Sequence, residues 1–222
     1  MIKRGLILFF LLLLNFTLIF DQEIITAVKY MEMVSEKYGT IRDMEASIAI
    51  RSGGSDMTGT ISHLSPSFLR IDFSRPAEQV IVFNGELFSV YLPEYRAVLN
   101  QNINQTRRTA SAGPGLSMLR RNYVPSFVTG PNPEPLDPNS RENVVRLRLT
   151  RTSAAEGFRE LILCIDPDSL LMRRIEGTTL TGSVVRFDFT NIRINQGIPE
   201  QRFIYDSPAS ANIYNNFLFR ED

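Results

Sequence analysis

The chain has 222 residues, with 24 basic and 24 acidic side chains, 43% hydrophobic and 22% charged content, one histidine, one cysteine and no tryptophan. This is enough apolar material for one domain with a real core, and too little polar low-complexity sequence for a disordered chain. The balanced charge, with no basic block longer than Arg107-Arg108 or Arg120-Arg121, excludes the footprint of a nucleic-acid binder.

At the start, Lys3 and Arg4 precede an apolar run from Gly5 to Phe20 that is short for a membrane span. Residues 1–20 therefore read as a secretory signal peptide or, if uncut, an N-terminal anchor, and either puts the body, 21–222, outside the cytoplasm as a single domain. No cysteine ends this leader, so the chain does not read as a lipoprotein itself. The lone Cys164, in "LILCID", reads as a buried thiol at a strand position.

Asp21 can cap a helix whose apolar positions Ile24, Val28, Met31, Val34 and Tyr38 step by three and four, with Gly39 at its end. From there the period becomes two. "MEASIAI", a turn at "SGGSD", and "MTGTISHL" lead into "SPSFLRIDFSRPAEQVIVFNGELFSVYLP", where Leu69, Ile71 and Phe73 share a face opposite Arg70 and Asp72. Asn84-Gly85 is the strongest hairpin signal of the chain. Two further strands are expected around the break at Pro93.

Residues 100–142 break the rhythm. They hold a polar stretch, a helix-capable "GLSMLRRNY" and the proline-rich "TGPNPEPLDPNSREN", which together read as an insertion. Strands resume with Val145, Leu147 and Leu149 on one face, then "FRELILCID", "LLMRRIEGT", and "SVVRFDF" with Val185, Phe187 and Phe189 aligned. The alternation slips at Thr190-Asn191, which predicts a bulge, and "QRFIYDSP" reads as one more strand.

Chemistry-bearing motifs are missing. There is no C-x-x-C, H-E-x-x-H, EF-hand loop, P-loop or dinucleotide fingerprint. His63 reads as a strand or turn residue, and Asp166 and Asp168, flanking Pro167, read as turn formers. The expectation is a protein without catalytic residues, cofactor or metal. What remains is apolar capacity: a half-curled antiparallel sheet with one apolar face can pack on the N-terminal helix as an ordinary core, or leave room for a lipid. Periodicity does not separate the two.

The order Gly59, Pro66, Leu69-Arg70, Pro76, Gln79-Val80-Ile81-Val82, Asn84-Gly85, then Leu87 to Tyr91 and Pro93, together with "DPDSLLMRRIEGTTLTGSVVRFDFTNIRINQGIP" and the closing "FIYDSP", resembles the LolA-type periplasmic carriers of outer-membrane lipoproteins. The resemblance covers most of the exported chain. It implies an α+β fold: an unclosed (half) antiparallel β-barrel with an N-terminal amphipathic helix and helical lid elements over an apolar cavity. The lid would come from the insertion at about 100–142, with Leu116, Met118 and Leu119 as its apolar underside.

By resemblance, the function is a monomeric periplasmic carrier that binds lipoprotein acyl chains and ferries them from an inner-membrane releasing complex to an outer-membrane acceptor. The alternatives are an interaction or sensory module of the same fold, or a general lipid-binding protein. Candidate wall residues are Leu69, Ile71, Phe73, Val82, Phe88, Val90, Val145, Leu147, Leu149, Phe187 and Phe189. Known members carry an Arg directly before the first Pro, held to bond the closed lid, and this chain has Ser65 there. Ser65, with Arg70 or Arg107, Arg108, Arg120 or Arg121 as replacement donors, marks the candidate gate.

Overall fold

A computed structural model describes residues 25–103, 119, 122–152 and 157–217. The helix α1 spans Ala27–Gly39. Its cap is Thr26, whose Oγ1 accepts from the Lys29 N–H at 3.2 Å, whereas the expected cap, Asp21, lies outside the described residues. Met31 and Val34 are buried as the spacing predicts, but Val28 is 52% exposed and Tyr30 takes its place on the buried side. The stripe is thus Ala27, Tyr30/Met31, Val34 and Tyr38, still three and four apart. Tyr38 closes it by accepting the Met172 N–H at 2.9 Å.

Strands follow in rapid succession: β1 (Asp43–Ser52), β2 (Ser55–Leu64), β3 (Phe68–Arg75), β4 (Val80–Phe83), β5 (Leu87–Leu92) and β6 (Ala97–Asn102). Then come β7 (Tyr123–Phe127), β8 (Glu134–Pro135), β9 (Asn143–Arg151), β10 (Glu160–Ile165), β11 (Met172–Thr178), β12 (Val184–Ile194) and β13 (Asn212–Asn215). The predicted turns sit where local chemistry demands them. Gly53 and Gly54 both have positive φ between β1 and β2, which a two-residue hairpin of right-handed twist requires. At the β4–β5 turn, Asn84 Oδ1 accepts the Glu86 and Leu87 N–H groups while Gly85 takes φ +94°. Pro93–Tyr95 forms a 3₁₀ turn between β5 and β6.

The sheet runs in the order β13-β6-β5-β4-β3-β2-β1-β12-β11-β10-β9-β7, with β8 paired to the start of β9. Every described neighbour pair is antiparallel except the short parallel pair β13–β6. The two outermost strands, β13 and β7, do not pair with each other among the described residues, so the sheet is unclosed. The slip expected at Thr190-Asn191 is a register shift between β1 and β12 beside Asn191, which has φ +53°.

Because paired residues of a ladder point to the same face, the register defines two faces for the whole sheet. On one, α1 packs over β7, β9, β10 and β11: Tyr30, Met31 and Val34 bury Leu147, Leu149, Leu161, Leu163 and Ile165. We call this the helix-bearing face. Its opposite, the outer face, is covered in two parts. Residues 129–142 lie over β9–β11, where Arg146 Nη2 donates to the Pro135 and Leu136 carbonyls at 2.8 Å. The buried Arg174 bonds Asp137 there at 2.8 and 2.9 Å, and also Asp188 of β12 at 2.6 Å.

The C-terminal segment covers the other part of the outer face as a strap. "QRFIYDSP", expected as a strand, is instead a 3₁₀ turn at Glu200–Phe203 followed by extended chain. Its register partners are taken, because β3, β4 and β5 already pair on both sides, so its side chains dock on the sheet face. Phe203 is 1% exposed and meets the Phe68 ring at 5.5 Å, while Tyr205 lies over Tyr91.

Candidate functional site

Among the described residues, an apolar surface lies on the helix-bearing face beyond the reach of α1. Two register rows build it. One reads Ile61, Ile71, Ile81, Val90, Leu99 across β2 to β6, five apolar residues on five strands. The next reads His63, Leu69, Phe83, Phe88, Gln101, so three apolar residues are framed by two polar ones. Towards the helix, Ile50 pairs with both Met57 and Phe187, and Ile48 with Gly59 and Phe189, joining the rows to Ile175 and Leu163.

Burial divides this face. Under α1, Val145, Leu147 and Leu149 keep at most 1% exposure and belong to a filled core. Beyond it, Ile48, Ile50, Ile71 and Phe73 are buried among themselves, while Met57, Ile61, Ile81, Val185, Phe187 and Phe189 around them are half-buried. Leu69, Phe83, Phe88, Val90 and Leu99 are half-buried as well. A sheet packed on both faces would bury these positions; here they keep solvent contact.

The glycine at position 59 shapes this wall. A Cβ there would stand 2.3 Å from the Asp72 carbonyl oxygen and 2.9 Å from the Phe73 Cα, so only glycine lets β2 and β3 approach at the register shift.

Of the candidate wall residues, Leu69, Phe88, Val90, Phe187 and Phe189 are half-buried on the helix-bearing face beyond α1, with Ile71 and Phe73 buried among them. Val145, Leu147 and Leu149 lie on the same face beneath α1. Val82 does not join them. It pairs with Arg70 and Ser89 and is 3% exposed on the outer face, because in the four-residue apolar run of β4 both alternating sets are apolar and only the register chooses between them. Sequence reasoning passed over Ile61, Ile81, Phe83 and Leu99, although "SDMTGTISHL" already set Met57, Gly59 and Ile61 two apart.

Of the lid candidates, Leu119 packs against the core cluster under α1, and Leu116 and Met118 lie outside the described residues. The two gate candidates are apart. Ser65 is exposed at the β2–β3 turn, its N–H donating to the Arg42 carbonyl at 2.7 Å. Arg70 points to the outer face and holds the strap, with Nη1 donating to the Arg202 and Ile204 carbonyls at 3.0 and 3.1 Å. Arg107, Arg108, Arg120 and Arg121 lie outside the described residues.

Polar chemistry near the face is spent on structure. His63 shares a 2.8 Å hydrogen bond with the Phe68 carbonyl at the turn. Asp166 accepts the Ser169 N–H and hydroxyl at 2.8 and 2.7 Å in the β10–β11 turn; burial pushes its carboxyl up, but these bonds and Arg173 outweigh it and hold it below the usual range. Among the described residues, no group of three or more His, Cys, Asp and Glu side chains is arranged to hold a metal ion, and no helix is long and apolar enough to cross a membrane. What the face offers a ligand is non-directional burial of apolar surface.

No family model matches the sequence. Over 156 residues, 70% of each chain, it is 22% identical to the outer-membrane lipoprotein carrier protein of Bordetella avium. In fold it is similar to an uncharacterized conserved protein of Thermus thermophilus, with a TM-score of 0.57 and 12% identity over 85% of this chain and 98% of that one. It is also similar to a chain of the MucA/MucB complex of Pseudomonas aeruginosa, with a TM-score of 0.53 and 16% identity over 85% of this chain and 63% of that one.

Proposed function

We propose that this chain, a distant relative of the LolA-type outer-membrane lipoprotein carriers, takes up lipoprotein acyl chains on the open part of its helix-bearing face and carries them across the periplasm. The observation behind the proposal is the unbroken apolar row Ile61-Ile71-Ile81-Val90-Leu99 with its half-buried neighbours. An acyl chain cannot cross water exposed. Each buried CH₂ contributes about 0.8 kcal/mol, so a chain of ~15 carbons loses on the order of 10 kcal/mol on leaving a membrane. A carrier must return most of this, and an apolar sheet face does so without a dedicated polar constellation. Onward transfer then needs only an acceptor that binds the chains better.

Uptake of a fluorescent fatty acid by the purified chain tests the reading. Leu69→Glu and Phe187→Glu, each putting a charge on the open face, should abolish uptake while far-ultraviolet circular dichroism stays native. Unchanged uptake in both variants, or none in the parent chain, would overturn the carrier reading.

A second reading, a module that holds an exported protein domain, is favoured by one observation: a chain of the MucA/MucB complex shares this fold. Purification with one stoichiometric protein and no acyl chain would replace the first reading with this one.

A further inference from the structure

The strap does not end on the outer face. Held there by Phe203 and Arg70, it turns along the sheet edge as β13, pairing Asn212 to Asn215 with Ala97 to Asn100. The Asn216 N–H then donates to the Asn100 carbonyl at 2.8 Å, and Asn216 takes φ +55°, which redirects the chain. Phe217, the next residue, stacks on Phe88 with ring centroids 6.4 Å apart and an interplanar angle of 24°. Phe88 belongs to the row Leu69-Phe83-Phe88 of the open apolar face. The segment that starts on the outer face thus delivers an aromatic ring to the helix-bearing one.

From this path we infer that Phe217, the ring at the tail of the strap, is an internal occupant of the β5 end of the apolar face and competes there with acyl chains. The docking stands on the geometry alone; the competition rests on the reading of the face as a lipid wall. Phe217 keeps 37% exposure, against 55% and 54% for Ile213 and Tyr214 just before it, so the contact with Phe88 shields part of its ring. An offset aromatic pair adds attraction beyond the area it buries. Because the tail is tethered one residue from a backbone hydrogen bond, its effective concentration at Phe88 is on the order of millimolar or higher, and an acyl chain entering this end must displace it.

The absence of tryptophan from the chain gives a direct test. In the full-length F217W variant the single indole should emit at blue-shifted wavelengths without lipid and shift to the red when Phe88→Ala or Phe88→Leu is added. Emission like that of free indole in lipid-free F217W, or no response to either change at Phe88, overturns the docking. Saturating palmitate should also red-shift F217W. In the full-length F217S variant, palmitate affinity should rise several-fold, roughly tenfold if the tail fills the subsite most of the time. Palmitate uptake that leaves the indole emission unmoved, or equal affinity in F217S and parent, overturns the competition. Failure of every variant to take up palmitate overturns the carrier reading and the competition with it, while the Phe88 comparison still decides the docking.

Discussion

The guanidinium of Arg70 and the carboxylate of Asp72, two residues apart on one face of β3, form a forked pair, Arg70 Nε meeting both Asp72 oxygens at 3.0 Å. Asp72 also accepts from Arg202, and Arg70 from the other side holds the Arg202 and Ile204 carbonyls and lies 5.9 Å from the Tyr205 ring. Two polar side chains of one strand thus fasten the strap to the sheet.

Removing this fork should loosen the strap first. Arg70→Ala is expected to cost about 2–3 kcal/mol, since charged hydrogen bonds of this kind contribute roughly 1.5–3 kcal/mol. The thermal midpoint should fall, and trypsin should cut after Arg202 sooner than in the parent. Arg70→Lys should recover little, because one ammonium cannot reach a carboxylate and two carbonyls in a fixed plane.

Glycines 59 and 39 should respond oppositely to alanine. Gly59→Ala drives a Cβ into the backbone of β3 and is expected to destabilise by about 1–3 kcal/mol, the range for overpacked sites. Gly39→Ala, in the last helical position with open space around it, should be neutral or stabilising by up to about 1 kcal/mol. Urea titrations of both variants separate the two outcomes.

Acid should unfasten residues 129–142 from the outer face. The hydrogen bond from Arg174 holds the Asp137 carboxyl below its ordinary value of 3.8; slight burial opposes this, and the charges of Arg174, Arg186 and Arg146 add to it. A carboxyl depressed in the folded state binds its proton more weakly there than in the unfolded chain. Its contribution is therefore fully present above pH 3.8 and is lost as pH falls below that value, through the folded pKa. Asp137→Asn should flatten the stability profile below pH 4 and leave its neutral-pH shape unchanged, as thermal melts across pH 2.5–7 would read.

The single thiol should be silent in the folded protein. Burial pushes Cys164 up to about 11, so almost no thiolate exists at pH 8. A disulfide reagent at pH 8 is expected to label it only in denaturant; rapid labelling of the native chain would contradict the burial.

Legibility followed the strength of the local pattern. Strands β3 and β9 could be assigned faces directly, since Leu69-Arg70-Ile71-Asp72-Phe73 and Val145-Arg146-Leu147-Arg148-Leu149 alternate sharply, and the turns at Gly53-Gly54 and Asn84-Gly85 carry their own chemistry. In "VIVF" the alternation vanishes, so local pattern does not choose a face for Val82, and the register puts it on the same face as Arg70. In "QRFIYDSP" a strand-like pattern is present, but Phe203 and Tyr205 dock on the sheet face from an irregular segment. Thr26 won the helix cap because its hydroxyl reaches the Lys29 N–H, a local event that apolar spacing does not report.

The sequence by itself determined a helix with one apolar stripe, a succession of antiparallel strands and the lack of catalytic motifs, because these depend on neighbours two to four residues apart. Tertiary structure alone decided that Leu147 fills a core under α1 while Phe187, on the same face three strands away, keeps solvent contact. It alone decided that Arg70 anchors the strap. The reason is physical: one helix of thirteen residues covers about 20 Å of length, too little for a face built from twelve paired strands, and which strands it covers depends on contacts far apart in the chain.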